Sequence, residues 1–237
     1  VIIVSWQFFE PAAYNFMHKL FTARTTGSED IVLIVIDDKS IEQYRWPWQR
    51  DLYAEIFEYL DKYSNPKIIA FDAILSSLDK EKPQADQKLF NTIKNIDNLV
   101  VGFSPLIQDY PPDINGEEYS QKFDNKFKIN IDDSAYSYNY SKYRSLSRFP
   151  APYFNSIKYT GSVNTKPNSS GYITLGDQIV NVNGKKYPSL GLRMYMLLNN
   201  TDTISLYKNK ILVDETNLTI PALYTRDGIQ NYTRYYK

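Results

Sequence analysis

Apolar positions in the first half of the chain switch repeatedly between a helical period and short unbroken runs. Phe9, Ala12, Phe16 and Leu20 recur at helical spacing behind Glu10-Pro11, and Thr25-Thr26-Gly27 closes that run, which predicts a helix within residues 1–27. "IVLIVI" (31–36) is continuously aliphatic and mostly β-branched, the pattern of a strand buried on both faces, and it stops at Asp37-Asp38-Lys39-Ser40. Leu52, Tyr53, Ile56, Phe57 and Leu60 make an amphipathic helix, followed by the short run "KIIAF" (67–71), which ends at Asp72. Pro83 opens a further helix with Leu89, Phe90 and Ile93 inward, and "NLVVGF" (98–103) follows it. Strand, helix, strand, helix, strand at this pitch predicts an α/β fold whose N-terminal half is a parallel βαβαβ unit flanked by helices.

The pattern then loosens. Residues 104–148 form a long polar insertion rich in Tyr, Ser, Asp and Asn, in which only "FKINI" reads as a strand. "APYFNSIK" predicts a short helix leading to "GSVN". "GYITL" and "QIVNV" read as paired strands, and Asn183-Gly184 is a strong turn signal. Pro188 starts a helix carrying Leu190, Met194 and Leu197 and closed by Asn199-Asn200, and "TISLY", "KILV" and "IQNYTRYY" give three short strands. The expectation is a single domain, 1–237, with a mixed sheet that becomes more antiparallel toward the C-terminus.

Composition narrows what such a domain does. Lys plus Arg and Asp plus Glu both number 27 in 237 residues, so the chain lacks the basic excess that binding a phosphate backbone demands, and nucleic acid is not an expected partner. Cys is absent, which excludes thiol catalysis and Cys-built zinc sites. The only histidine, His18, stands beside Lys19 on a helical pattern, with no G-x-S-x-G elbow anywhere, and the 9 glycines are scattered without a phosphate-cradling loop. No stretch reaches the ~20 apolar residues that cross a bilayer. The abrupt start "VIIVSW" reads either as the trailing end of a membrane helix or as a buried segment, and the chain is expected to be a piece of something longer.

Two features could carry chemistry. Asp37 and Asp72 each follow a predicted parallel strand, the edge where open α/β sheets bind ligands. Joined by Asp38, Asp79 or Asp86, they could hold a divalent metal in a metal-dependent hydrolase. The competing reading is that aspartates end strands and cap helices, and Asp86 falls where a helix dipole alone explains an acid. The second feature is "WPWQR" (46–50), which spends two of the 3 tryptophans in one connection. It reads as a ligand-gripping loop, an aromatic platform, or a wedge locking the turn into the next helix. Pro47 stiffens the segment and favours the wedge, with Arg50 in reach of Asp37 or Asp72.

"IVLIVIDDKSIEQYRWPWQRDLYAEIFEYL", "PKIIAFDAIL", "GSVNTKPNSSGYITL" and "KKYPSLGLRMY" together resemble the type-two CHASE sensor family, and "FFEPAAYNFMHKL" is similar to that family's helix emerging from a first membrane span. The hallmarks matched are Asp37, Ser40, Trp46, Pro47, Trp48, Arg50, Phe71 and Asp72, then Asp86, Gly161, Val163, Asn164, Tyr187, Pro188 and Ser189. The sequence departs at Tyr44-Arg45, where the family has a Gly before the tryptophan, and at Ser169-Ser170-Gly171 and Thr174, where it has an Asp-Gly and a later Arg. The resemblance implies an extracytoplasmic sensory domain without catalytic residues or cofactor, hung between membrane helices of a homodimeric receptor. It would answer a small-molecule or environmental signal and regulate a cytoplasmic adenylate or guanylate cyclase or a kinase. It makes Asp37, Asp38, Ser40, Trp46, Trp48, Arg50, Asp72 and Asp86 the ligand-binding or signalling candidates. A module serving dimerisation alone is the plainer alternative.

Overall fold

The computed structural model describes residues 29–111, 115–134, 140–167, 173–207, 210–213, 218–221, 223–225 and 228–232, so the helix expected within 1–27 lies outside the described residues. The elements run α1 (Asp38–Tyr44), α2 (Arg50–Tyr59) continued by a π-turn (Leu60–Ser64), β1 (Ile69–Ile74), α3 (Pro83–Asn95), β2 (Leu99–Phe103) and β3 (Pro105–Leu106). Next come α4 (Gly116–Phe127), β4 (Asn130–Asp132), β5 (Ser141–Tyr143), β6 (Ser145–Leu146), α5 (Ala151–Ser156) and β7 (Tyr159–Ser162). Then follow β8 (Thr165–Pro167), β9 (Ile173–Asp177), β10 (Ile179–Val182), β11 (Lys185–Pro188) and α6 (Leu190–Leu198). The chain closes with β12 (Thr203–Tyr207), β13 (Lys210–Val213), β14 (Leu218–Pro221), β15 (Leu223–Thr225) and β16 (Gly228–Tyr232).

These elements fall into two units. One comprises Val1–Trp46, Thr165–Gly176 and Tyr232–Lys237, and the other Pro47–Asn164 and Asp177–Asn231. Among the described residues of the smaller unit are α1 and the antiparallel pair β8–β9.

The larger unit is built on a parallel sheet ordered β1-β2-β7. All five residues of β2 are buried, as a central strand requires. Register shows what covers each face. Phe71 lies opposite Val101 and packs on Tyr53 and Phe57 of α2, with ring centroids 5.1 Å apart in both cases. Gly102 and Gly161 are paired one residue further on and so face the other way. There a Cβ on Gly161 would stand 2.5 Å from the Leu190 Cα, so α6 approaches β7 backbone to backbone. Helix α3 packs beside α2. Mixed and antiparallel sheets follow: β11-β10-β5, β14-β13-β12-β4 and the pair β3-β6. The fold is therefore mixed α/β, parallel first and more antiparallel later.

Membership of the parallel sheet differs from the sequence expectation. Its third strand is β7, which ends on the first two residues of "GSVN", and not "IVLIVI". Residues 31–37 belong to no helix or strand, and Ile31, Val32, Leu33, Ile34 and Val35 are exposed. An apolar run sets a strand's preference, but a ladder partner makes the strand, and that partner is not a local property. Asp72 likewise lies inside β1, which continues to Ile74, and not past its end.

The polar stretch 104–148 carries α4, whose Tyr119, Phe123 and Phe127 repeat every fourth residue; Phe123 and Phe127 are buried and Tyr119 half-buried. Five aromatic rings pack on Phe123, those of Phe103, Tyr119, Phe127, Phe149 and Tyr187, and give this stretch the apolar anchor that its polar composition hides. Asn183-Gly184 does form a tight turn before Tyr187, with Asn183 at φ 50° and Gly184 at φ 84°, and joins β10 to β11, whereas the expected pairing of "GYITL" with "QIVNV" is not made: β9 pairs with β8, and β10 with β11 and β5. In α6 the buried positions are Leu192, Arg193 and Met196 instead of Leu190, Met194 and Leu197. Its N-cap is Ser189, whose Oγ accepts from the Leu192 N–H at 3.1 Å, while Pro188 closes β11.

Candidate functional site

Pro47 and Trp48 open the larger unit and lead through Gln49, in extended conformation, into α2. Trp48 is half-buried, its indole 5.9 Å from the Tyr53 ring, and Tyr53 in turn rests on Phe71 of β1. Trp48 thus continues an aromatic stack that pins the start of α2 to the sheet, the role of a wedge. Trp46 departs from that reading: it is 60% exposed and belongs to the smaller unit.

At the first position of the helix, Arg50 meets an acid other than the two expected. Its Nε lies 3.8 Å from Oδ1 of Asp86, an ion-pair distance that is too long for a hydrogen bond. Asp86 sits in the first turn of α3 and is only 2% exposed, so the helix dipole is a small part of its setting. Tyr153 of α5 donates its hydroxyl to Oδ1, and the Asp79 N–H donates to Oδ2 at 2.5 Å. Asp79 in turn accepts from the N–H groups of Glu81 and Lys82 at 2.9 and 3.0 Å, which satisfies the turn leading into α3. Burial first, then the bond to Asp86, raises the Tyr153 phenol well above its ordinary pKa, so it remains a donor. Three segments distant in sequence are thereby tied to one buried carboxylate. The arrangement holds charge in place and offers no nucleophile.

Asp72 lies on the exposed side of β1 and makes no hydrogen bond or ion pair among the described residues. Asp37 and Ser40 form a local cap in the smaller unit. The Asp37 Oδ1 accepts from the Ser40 hydroxyl at 2.7 Å and the Ser40 N–H at 2.9 Å, and these two bonds hold its carboxyl below the usual pKa. Asp38 is the exposed acid of that helix's first turn. Asp37 and Asp38 are thus occupied by helix capping and helix-dipole placement, and among the described residues no group of three or more His, Cys, Asp or Glu side chains could hold a metal ion.

At the end of α1, Arg45 adopts φ 62°, ψ 169°, a region open to glycine and strained for any other residue. This is the departure from the family's Gly, expressed as backbone strain. Arg45→Gly is expected to stabilise the protein by roughly 1 kcal/mol, the low end of the strain cost, offset in part by glycine's freedom when unfolded. A rise in the urea midpoint at unchanged slope checks it, and a fall contradicts it.

A second polar constellation escaped the sequence reading except for Asn164. The Asn164 side-chain amide donates to the Tyr143 hydroxyl at 2.9 Å, and that hydroxyl donates to Asp177 Oδ2 at 3.2 Å. Ser141 donates to Asp177 Oδ1 at 3.0 Å. Burial, then the neighbouring Asp177, pushes the Tyr143 phenol up to about 12. No local signal announces this network, since Ser141 and Asp177 stand 36 residues apart. A cleft of about 580 Å³ also opens between α2 and α3, lined by Glu58, Asp61, Lys62, Lys88, Asn91 and Thr92 among others.

Among the described residues no helix is long and apolar enough to cross a membrane. No curated protein and no solved structure matches the chain. The model of the CHASE2 domain family does match, over residues 1–236, so nearly the whole chain is accounted for by one family description. Its hallmark Arg and the acid heading its next helix are here the ion-paired Arg50 and Asp86, and its Gly161 is the close approach of sheet and helix. The chain belongs to the CHASE2 domain family, whose members are extracytoplasmic sensory modules of signalling proteins.

Proposed function

We propose that this domain receives an extracytoplasmic chemical or environmental signal and regulates a cytoplasmic adenylate or guanylate cyclase or a kinase on the same polypeptide. The reading rests on one contrast within the larger unit. Arg50 and Asp86 are engaged in a buried constellation that ties α2, α3 and α5 together, whereas Asp72 stands exposed on β1 with its carboxylate unengaged among the described residues. The first pair keeps the helices in place, and the exposed acid is the contact offered to a signal. Trp48 and Arg50 act by positioning α2, while Asp37, Asp38, Ser40 and Trp46 form a second candidate group in the smaller unit.

The test uses the full-length receptor in membranes. Asp72→Asn is expected to shift output activity or its response to the signal at least several-fold while leaving the urea midpoint of the domain unchanged. An unchanged response in Asp72→Asn would remove the assignment of Asp72. A full-length reading frame with no output domain would remove the function.

A further inference from the structure

The cleft between α2 and α3 is lined from two helix faces, both within the larger unit. Glu58, Asp61 and Lys62 stand at i, i+3 and i+4 along α2 and its π-turn, and Asn91 and Asn95 stand at i and i+4 on α3. Its volume of about 580 Å³ falls within the roughly 300–1,000 Å³ of small-molecule sites.

The polar groups of this cleft are held in place yet unspent. Lys88 Nζ donates to Glu55 Oε1 at 2.8 Å, which takes up the Lys88 charge. Thr92, only 5% exposed, donates its hydroxyl to Glu58 Oε1 at 2.7 Å and so orients that carboxylate, whose other oxygen is not engaged among the described residues. Lys62 is steadied by the Tyr63 ring, whose centroid lies 4.9 Å from its ammonium, a contact that consumes no N–H donor. The side chains of Asp61, Asn91 and Asn95 make no hydrogen bond or ion pair among the described residues. Asp61 and Lys62 both stand on the π-turn Leu60–Ser64, a rare helix geometry that is frequent at functional sites.

We infer that this cleft binds a free α-amino acid. Asp61 and Lys62 are adjacent and present opposite charges at short separation, and an α-amino acid carries the reverse pair on one carbon. Asp61 and Glu58 take the ligand's ammonium, and Lys62 takes its carboxylate. Asn91 and Asn95, across the cleft, each donate and accept, which suits a polar ligand side chain. A simple amine would leave Lys62 unanswered. Two carboxylates are too few for a metal cage, and no group of three or more His, Cys, Asp or Glu side chains among the described residues could hold a metal ion. The chain runs from α2 and its π-turn into β1 and from α3 into β2, so the cleft lies at the amino edge of the parallel sheet. Arg50 and Asp86 stand at the other ends of the same two helices. The site is therefore separate from the assignment of Asp72 as the signal contact.

Isothermal titration calorimetry of the 237-residue chain with each of the common L-amino acids tests this, with propylamine and propionate as probes that carry one charge each. At least one amino acid should bind with a millimolar or tighter Kd, and each single-charge probe at least about ten-fold more weakly. Asp61→Asn and Lys62→Gln should each weaken the amino acid at least about ten-fold. Both residues are exposed, so urea midpoints should stay unchanged, which separates lost binding from lost folding. Asp72→Asn should bind as the unsubstituted chain does, whatever it does to signalling. Absence of binding by every amino acid up to about 10 mM overturns the inference. So does binding that survives both cleft substitutions, binding lost in Asp72→Asn, or propylamine binding as tightly as the amino acid.

Discussion

Asp86→Ala is expected to lower the unfolding free energy by about 3–5 kcal/mol, the range for removing one member of a buried, hydrogen-bonded ion pair. The cost comes less from the lost attraction than from what remains. Tyr153 is 0% exposed and its hydroxyl loses its acceptor, and the Asp79 N–H loses its own. Arg50, with 21% of its side chain exposed, recovers part of its hydration and contributes less. Urea melts of Asp86→Ala, Tyr153→Phe and the double variant separate these parts, since the cycle isolates the bond between the two side chains. A loss below about 1 kcal/mol for Asp86→Ala would show that the buried carboxylate is not a structural tie. Asp86 would then return to the signalling candidates as a residue free to change partners.

Phe123→Ala should cost a comparable ~3–5 kcal/mol, here through an unfilled core. Phe123 is fully buried, with the rings of Phe103, Phe127, Phe149 and Tyr187 at 5.3, 4.8, 6.3 and 5.3 Å. These neighbours come from β2, α4, β11 and the segment before α5, so the side chain joins the parallel sheet to the polar stretch that follows it. Rigid rings fixed in several directions cannot collapse into the space, which places the substitution high in its range. Urea or thermal melts check it against Tyr59→Ala, whose ring is 61% exposed and whose loss should stay within about 0.5 kcal/mol. Equal effects in the two variants would mean that this cluster is not part of the cooperative core.

Local periodicity was sufficient for α2, α3, α5, β2, and the turn at Asn183-Gly184, because each depends on spacing, capping or a positive φ that neighbouring residues supply. Helix α4 was legible in principle from Tyr119, Phe123 and Phe127 at four-residue spacing, but the polar residues between them masked it. The motif residues of the site are legible too, since Arg50, Asp72, Asp86 and Trp48 all stand out in the sequence. Their roles are not. The sequence puts Arg50 in reach of Asp37 or Asp72, and the structure pairs it with Asp86, 36 positions along, because α2 and α3 pack side by side. Tyr153 joined them unannounced, since a phenol's value as a donor depends on burial that only packing creates. The aliphatic run 31–36 marks the same divide from the other side. Its composition dictates that it prefers a strand, and no amount of composition supplies the second backbone that a strand requires. Side-chain period and backbone preference are properties of a few adjacent residues, and the sequence carries them alone. Partner choice, burial and the charge that a carboxylate faces depend on residues brought together from across the chain, and those the tertiary structure decided.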